Sequence, residues 1–247
     1  MNPEEYDRLN EVETNHWFYR GKRDVVRFWL AKCAKLGPQS KLVDVGAGTG
    51  LFAAEMSSIC KVTAVDDHEE AVALASRRKG PEFVKASFHA LPFQDGEFDA
   101  ATALDVLEHL SNDLASLVEL KRVMKPGGTI VVTVPAFMAL WSEWDVALHH
   151  WRRYRRHQVR KLAEDAGLEI VECRYVNSVL FPPILFYRKA RAWLPFLFSK
   201  QSRAEDRIPK PWLNDFLGKT FVKPACWSWF RPPFGVSVLA VLRKPQP

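Results

Sequence analysis

Residues 41–50 read KLVDVGAGTG and join a short apolar run to a turn that contains three glycines. Similar short apolar runs follow at 61–65, 82–86, 98–104 and 129–134, with helix-like stretches between them. Strands that alternate with helices indicate βαβ units and a parallel sheet. Glycines after the first strand let the backbone approach a ligand, at the sheet edge where such folds bind their ligands.

The remainder of the chain completes this pattern. Residues 4–36 have helical spacing, and strand-like runs recur at 169–176 and 236–242. We therefore expect an α/β fold, with a Rossmann-like, doubly wound, mainly parallel sheet of seven strands. A helical N-terminal lid should precede the sheet, and a long aromatic and basic insertion should precede the last strand.

Composition excludes several classes of protein. The 247 residues are 47% hydrophobic and 26% charged, which argues against disorder, collagen and coiled coil. The longest strongly apolar stretch, 179–187, holds two prolines and is too short to span a membrane. The acidic N-terminus has no apolar signal region, so we expect a cytoplasmic protein. Four separated cysteines predict reduced thiols, and nothing in the pattern indicates a metal site.

Residues 178–232 form the insertion, and they differ in composition from the rest. Ten Lys and Arg stand against three acids, and 12 of the chain's 30 aromatic residues lie there. Insertions of this size are usually lids or binding elements. The stretch 179–193, VLFPPILFYRKARAW, suits an amphipathic element on a membrane surface or around an acyl chain. A cap packed on the domain, or a dimer contact, is the alternative, and the oligomeric state stays open.

Two acids indicate what the glycine-rich turn binds. Asp66 ends the second strand, where an acid accepts hydrogen bonds from ribose hydroxyls. Asp44 would repel a pyrophosphate and suits a cationic or amine-bearing ligand instead. Leu51 stands where a dinucleotide-binding helix needs a small residue.

With these residues the chain resembles the class I S-adenosylmethionine-dependent methyltransferases. Asp44 with Gly46, Gly48 and Gly50 matches the first motif of that family. Three further stretches resemble the family's elements around the fourth and fifth strands: LPF at 91–93 with GEFD at 96–99, LDVLEHL at 104–110, and KPGG at 125–128.

The resemblance implies that the cofactor is S-adenosyl-L-methionine, which leaves as S-adenosyl-L-homocysteine. Ser87 stands where the family often has an Asp that accepts from the adenine amino group, and Phe88 is expected to pack on the ring. The implied cofactor-binding residues are Asp44, Gly46, Gly48, Gly50, Asp66, Asp67, Ser87, Phe88, Leu104, Asp105 and His109.

Two aromatic and basic clusters are candidates for binding the methyl acceptor. The first, HWFYR at 16–20, lies ahead of the first strand. The second, 141–154, follows the fifth strand at the edge of the sheet where ligands bind. Both resemble elements found together in a subgroup of the family. The predicted catalytic residues are His149, His150 and Tyr154, with a histidine as proton acceptor. The predicted acceptor-binding residues are His16, Trp17, Arg20, Trp141, Arg152 and Arg153.

Several functions stay open at this stage. The first is methylation of oxygen or nitrogen in a small-molecule or lipid-linked metabolite. RNA methylation is an alternative, although the sequence pI of about 9.2 is modest and no RNA-binding module is present. The chain could also use S-adenosylmethionine itself as substrate, by cyclisation of its aminobutyrate arm, or act as a scaffold. The expected division is a single domain over 1–247: an N-terminal lid (1–38), a cofactor-binding core (39–177), an insertion or cap (178–232), and the last strand and tail (233–247).

Overall fold

One mixed sheet organises the chain in the computed structural model, which describes residues 10–193 and 207–246. Its strand order is β3-β2-β1-β4-β5-β7-β6, and β7 runs antiparallel to both of its neighbours. The predicted seven-stranded, mainly parallel sheet is therefore confirmed. The strands are β1 (Lys41–Val45), β2 (Lys61–Asp66), β3 (Glu82–Lys85), β4 (Phe98–Leu104), β5 (Met124–Pro135), β6 (Glu169–Val176) and β7 (Ser237–Arg243).

Helices connect the strands and cover the sheet. They are α1 (Trp17–Cys33), α2 (Leu51–Met56), α3 (Glu69–Ala75), α4 (Asp113–Val123), α5 (Glu143–Ala147), α6 (Arg156–Asp165), α7 (Phe181–Trp193) and α8 (Pro211–Cys226). No described helix is long and apolar enough to cross a membrane.

The first long helix is shorter than its sequence pattern predicts. Instead of running from residue 4, α1 begins at Trp17, because the Nδ1 atom of His16 accepts a hydrogen bond from the backbone N–H of Phe18 at 3.3 Å. A side chain that accepts such a bond caps the helix start. Residues 13–15 form a turn before this cap, and residues 4–9 lie outside the described residues.

Each face of the sheet carries its own apolar core. On one face, α1, α2 and α8 pack through residues that include Trp29, Phe52 and Phe221. On the other, α4 and α6 pack through residues that include Leu120 and Val159. The central strands are buried on both faces, as parallel strands between helices are.

The insertion packs against the N-terminal helix. The indole N–H of Trp29 donates to the carbonyl oxygen of Ala225 at 3.2 Å, which joins α1 to α8. A side chain at Gly21 would come within 2.8 Å of the Phe221 ring, so the two helices approach closely at that glycine.

Arg174 of β6 anchors the end of the insertion from within the core. Its guanidinium is fully buried, lies over the Trp29 ring, and donates to the carboxylate of Glu172 at 2.6 Å. It also donates to the carbonyl oxygen of Trp227 at 2.7 Å. One cation therefore holds the sheet, α1 and the segment after α8 together.

We predict that Arg174→Met lowers the free energy of unfolding by about 3 kcal/mol, because it removes one partner of a buried ion pair. Arg231→Met is the matched control: Arg231 reaches the same Glu172 oxygen at 3.1 Å, but its side chain is 62% exposed. Such an exposed pair contributes about 1 kcal/mol or less. Urea unfolding followed by circular dichroism measures both variants, and equal losses would contradict this assignment.

Candidate functional site

A cavity of about 860 Å³ opens at the carboxyl ends of β1 and β4, where the strand order reverses. Open α/β sheets bind ligands at this point. Its walls come from the turn after β1, the segment after β4, residues before and at the start of α1, the segment 144–153, and the two helices of the insertion. This volume lies in the upper part of the range for small-ligand sites, about 300–1,000 Å³.

The glycine-rich turn has the backbone that its sequence predicts. Gly46, Gly48 and Gly50 all have positive φ, at 70°, 55° and 73°. A side chain at Gly46 would meet Val106 Cγ2 at 2.3 Å, and one at Gly50 would crowd Phe83 at 2.9 Å. At Gly48 a side chain would meet nothing within 4 Å and would enter the cavity. The turn therefore leaves space at Gly48 for a ligand to contact the backbone of the turn.

Asp66 is held beside this turn by two backbone groups. Its carboxylate accepts from the N–H of Gly48 at 2.9 Å and from the N–H of His68 at 3.1 Å. Burial raises the pKa of Asp66, and these hydrogen bonds oppose that rise. A carboxylate has about four acceptor sites, so two remain for a ligand.

Asp44 supplies a second acid under the turn. It is buried, and its Oδ1 accepts from the Thr102 hydroxyl at 2.6 Å. Burial raises the pKa of Asp44 to about 7, against the effect of that hydrogen bond. A cationic ligand nearby would favour the ionised carboxylate.

Residues before and within α1 close one side of the cavity. Lys22 donates to Asp105 Oδ2 at 2.6 Å, and the Thr133 hydroxyl donates to Asp105 Oδ1 at 3.0 Å. Burial alone would raise the pKa of Asp105, but Lys22 brings it below its usual value. Ahead of the helix, Glu13 accepts from the Thr49 hydroxyl at 2.5 Å and from Arg78 at 2.6 Å. These contacts fix the N-terminal segment to the glycine-rich turn.

A fully buried carboxylate, Asp145, organises the opposite side. Arg153 donates to both of its oxygens, at 2.7 and 2.9 Å, and Nδ1 of His150 lies 2.9 Å from Oδ1. The backbone N–H of Ser142 donates to Oδ2 at 2.8 Å. Burial opposes ionisation, yet the hydrogen bonds from His150 and Arg153 hold the pKa of Asp145 well below its usual range.

Glu108, His109 and His150 form a polar corner of the cavity. Glu108 is fully buried, and neither of its carboxylate oxygens has a hydrogen-bond partner among the described residues. Its Oε1 lies 4.0 Å from Nε2 of His150, a buried atom that likewise has no hydrogen-bond partner in the described part of the chain. Burial raises the pKa of Glu108 and lowers the pKa of His109 to about 4.

Most of the predicted cofactor residues line the cavity together. They are Asp44, Gly46, Gly48, Asp66, Asp67, Phe88, Leu104, Asp105 and His109. From the predicted acceptor and catalytic residues, His16, Trp17, His149, His150 and Arg153 line it as well. Their roles in binding and catalysis stay predictions.

Six predicted residues do not line the cavity. They are Gly50, Ser87, Trp141, Tyr154, Arg20 and Arg152. Gly50 instead allows close packing, and the Ser87 hydroxyl caps its own turn by accepting from His89 N–H at 3.2 Å. Trp141 lies at the end of a short 3₁₀ turn, its N–H bonded to the Met138 carbonyl oxygen at 3.0 Å.

The expected anion-binding arginines are occupied by protein carboxylates. Arg152 donates to Asp113 at 3.0 Å, and Arg153 is committed to Asp145. Tyr154 is a core residue whose hydroxyl donates to Asp113 at 2.8 Å, and burial raises its pKa far above the usual value. These contacts hold Arg152, Arg153 and Tyr154 to other parts of the protein, and the predicted contact of these residues with the acceptor stays a prediction. Arg20 likewise pairs with Asp215, at 2.6 Å.

The cavity residues that sequence reasoning missed include the polar side chains of Glu13, Lys22, Glu108 and Asn177. The buried Asn177 follows β6 with a φ of 57°, and its side-chain amide has no hydrogen-bond partner. Asp105 and His149 also line the cavity with positive φ, at 55° and 56°. Strained backbone of this kind concentrates at functional sites. For Asn177, the sequence signal was an asparagine directly after a strand, a residue type that tolerates a positive φ.

Comparison with known proteins agrees with this geometry. Residues 43–132 match the methyltransferase domain family. That part of the chain, from β1 to β5, is a methyltransferase domain, and the solved structures with this fold include S-adenosylmethionine-dependent methyltransferases. A demethylmenaquinone methyltransferase of Corynebacterium kroppenstedtii is 34% identical over 113 residues, which are 43% of this chain and 49% of that protein. The chain thus spans about half the length of the curated relatives it matches.

Solved structures share the fold of this chain. A methyltransferase from Haloferax volcanii, in complex with its Trm112 activator, has a TM-score of 0.64 at 18% identity, with 98% of this chain and 95% of that chain covered. The [4+2]-cyclase SpnF has a TM-score of 0.60 at 22% identity, with 91% and 82% covered. A cyclase with the same fold shows that the fold alone does not decide the reaction.

The cavity fits the family's cofactor, S-adenosylmethionine. The open space at Gly48 admits a ligand against the turn, and Asp66 offers two acceptor sites beside it. Asp44 adds a carboxylate suited to a cationic group. The turn 46–48, Asp66 and Asp44 are therefore the residues that would hold the cofactor.

We predict that Asp66→Asn weakens S-adenosylmethionine binding by about ten- to a hundredfold, since a hydrogen bond to a charged group contributes about 1.5–3 kcal/mol. Isothermal titration calorimetry measures the affinity. Asp95→Asn is the control, because Asp95 precedes β4 at the other edge of the sheet and its side chain is 79% exposed. Unchanged affinity in Asp66→Asn would remove Asp66 from the cofactor site.

Proposed function

We propose that the chain methylates an oxygen or nitrogen of a lipid-linked small molecule. When bound, S-adenosylmethionine supplies an electrophilic methyl group on a sulfonium. The methyl carbon bonds to the acceptor, the thioether leaves with the electron pair of the broken bond, and the acceptor releases a proton. The protein's task in such a displacement is to position the acceptor and exclude water.

The observation that carries this proposal is the apolar wall of the cavity. Leu180, Pro183, Ile184 and Tyr187, before and within α7, line it together with Leu217 of α8. Apolar walls with a few polar groups are typical of sites for small, largely apolar ligands. Glu108, His109 and His150 line the same cavity, so an elongated acceptor would place its reactive end against these polar groups and its apolar part against the insertion.

The two insertion helices also carry apolar side chains that face solvent. The exposed fractions of Phe186 and Trp193 on α7 are 77% and 79%, and those of Trp212 and Phe216 on α8 are 69% and 58%. Exposed lysines lie on or beside the same helices: Lys189, Lys210, Lys219 and Lys223. Exposed aromatics beside basic residues suit peripheral contact with an anionic membrane surface. A lipid-linked acceptor could enter the cavity from such a surface.

The relatives support the same substrate class. Several are named demethylmenaquinone methyltransferases, and that name describes a lipid-linked substrate. The alternative acceptors have less support here, because the predicted phosphate-binding arginines Arg152 and Arg153 pair with Asp113 and Asp145. Cyclisation of the cofactor itself needs no acceptor, and the apolar wall would then have no ligand.

A labelling experiment tests the acceptor class. The protein is incubated with S-adenosylmethionine that carries a tritiated methyl group, separately with a lipid extract, an aqueous metabolite extract and total RNA. We expect label in the lipid extract. Label confined to the aqueous extract or RNA would contradict the proposal, and so would consumption of the cofactor to a cyclised product without any extract.

The cavity wall is tested with a matched pair of variants. Ile184→Glu places a charge on the apolar wall, and we expect it to reduce lipid labelling by at least about tenfold while cofactor affinity is unchanged. Val179→Glu is the control, because Val179 is 48% exposed and does not line the cavity. Equal labelling by both variants would place the acceptor elsewhere.

Membrane contact makes a separate prediction. Co-sedimentation with vesicles of phosphatidylcholine and phosphatidylserine should be strong at low salt and fall as salt rises. The double variant Phe186→Glu, Trp212→Glu should bind roughly tenfold more weakly, because it loses two apolar side chains that would enter the interface. Ile59→Glu is the control, since Ile59 is 42% exposed and precedes β2 at the opposite edge of the sheet. Binding unaffected by salt and by the double variant would refute membrane contact.

A further inference from the structure

The polar corner of the cavity brings together three side chains that can ligate a metal ion. One carboxylate oxygen of Glu108 and one ring nitrogen each of His109 and His150 all lie within 4.8 Å of one another. The residues come from two segments, since Glu108 and His109 follow β4 and His150 follows α5. The backbone N–H of Trp151 donates to the carbonyl oxygen of Glu108 at 2.8 Å and holds these segments together.

Glu108 is the first reason to assign an ion to this corner. Its carboxyl group is fully buried, lines the cavity and has no hydrogen-bond partner among the described residues. Buried carboxylates in proteins are normally paired or coordinate a metal. The two neighbouring acids are already compensated, Asp105 by Lys22 and Asp145 by Arg153. Within the part of the chain that the structure describes, no cation forms an ion pair with Glu108 other than the imidazole of His150 at 4.0 Å.

The surroundings of the two histidines are the second, independent reason. Nδ1 of His150 lies 2.9 Å from the Asp145 carboxylate, which directs its Nε2 towards Glu108 at 4.0 Å. The His109 ring lies edge-on to the His150 ring, with the ring centroids 4.6 Å apart. Histidines that bind metals almost always donate their other ring N–H to a carboxylate or a backbone carbonyl. His150 has that second contact, in the carboxylate of Asp145.

We propose that Glu108, His109 and His150 bind a divalent transition-metal cation of the zinc type on the acceptor side of the cavity. Two imidazoles and one carboxylate suit such an ion, and three protein ligands leave a coordination position open. Zinc bonds to nitrogen and oxygen are about 2.0–2.2 Å long, which places the donors of a tetrahedral site roughly 3.3–3.6 Å apart. The three donor atoms lie within 4.8 Å of one another here, so the side chains would move closer together on binding the ion. All three residues line the cavity, where an open coordination position could hold and polarise an acceptor oxygen.

The use of this ion in methyl transfer rests on the proposed function, but ion binding itself does not. The test therefore uses the full chain without cofactor or acceptor. Zn²⁺ binding is measured by isothermal titration calorimetry after treatment with a chelator, and Co²⁺ is added to observe its absorption spectrum. We expect one site per chain and a Co²⁺ spectrum that indicates mixed nitrogen and oxygen ligands.

Glu108→Gln is the decisive variant, because it keeps the size of a side chain that has no partner to lose. We expect it, and His109→Asn, to weaken Zn²⁺ binding at least ten- to a hundredfold. His68→Asn is the matched control, since His68 belongs to a second, more exposed cluster with Asp66 and Asp67. Thermal unfolding of each variant establishes that it folds.

Three results would overturn the proposal. One is the absence of stoichiometric Zn²⁺ binding by the unaltered protein, and another is equal affinity in Glu108→Gln. The third is loss of binding in His68→Asn alone, which would place the ion in the exposed cluster. Zn²⁺ binding that depends on Glu108, together with label found only in RNA, would retain the ion site and reject the proposed acceptor.

Discussion

The reversal of strand order between β1 and β4 is the constraint on which the rest of the molecule depends. The two strands pair in parallel, so both carboxyl ends lie at the same edge, yet the chain leaves them in opposite directions across the sheet. A crevice must open there, and the segments after the two strands form its walls. Asp44 is buried at this point because β1, which carries it, is a central strand, and Asp105, directly after β4, is partly buried. Each is compensated by a polar neighbour, Thr102 and Lys22 respectively.

Asp145 performs a comparable task on the acceptor side. A short helix of five residues has little stability of its own, so α5 and the segment after it need tertiary contacts to hold one conformation. The buried carboxylate provides them, because it accepts from Ser142 and from Arg153 and orients His150. The same contacts pair Arg153 with Asp145, and together with the hydrogen bond from His150 they hold the pKa of Asp145 below its usual range.

The sequence was sufficient for the fold, and most of the residues that it predicts for the cofactor lie along one cavity. Both depend on local patterns: apolar runs, glycines in one turn, and an acid at the end of a strand. The acceptor side depends on pairs of residues far apart in the chain, such as Lys22 with Asp105, which no periodicity reveals. Two adjacent histidines illustrate the limit. His150 is directed by Asp145, whereas His149 has a left-handed backbone, and nothing in the letters HH distinguishes them.

The hydrogen bonds of the described residues show where the site differs physically from the rest of the core. Buried polar side-chain atoms are nearly always partnered, so the exceptions are informative. Four residues have such atoms without a partner: Glu108, His150, Asn177 and Arg174. Three of them line the cavity, and Arg174 is only partly unsatisfied because its other nitrogens donate to Glu172 and to backbone carbonyls. Among the described residues, most of the buried polar atoms that have lost their water without gaining a protein partner therefore lie at the cavity, where a bound ligand can form the missing hydrogen bonds. A purely structural cap over the sheet would have no reason to leave a fully buried carboxylate, an imidazole and an amide unsatisfied around one cavity.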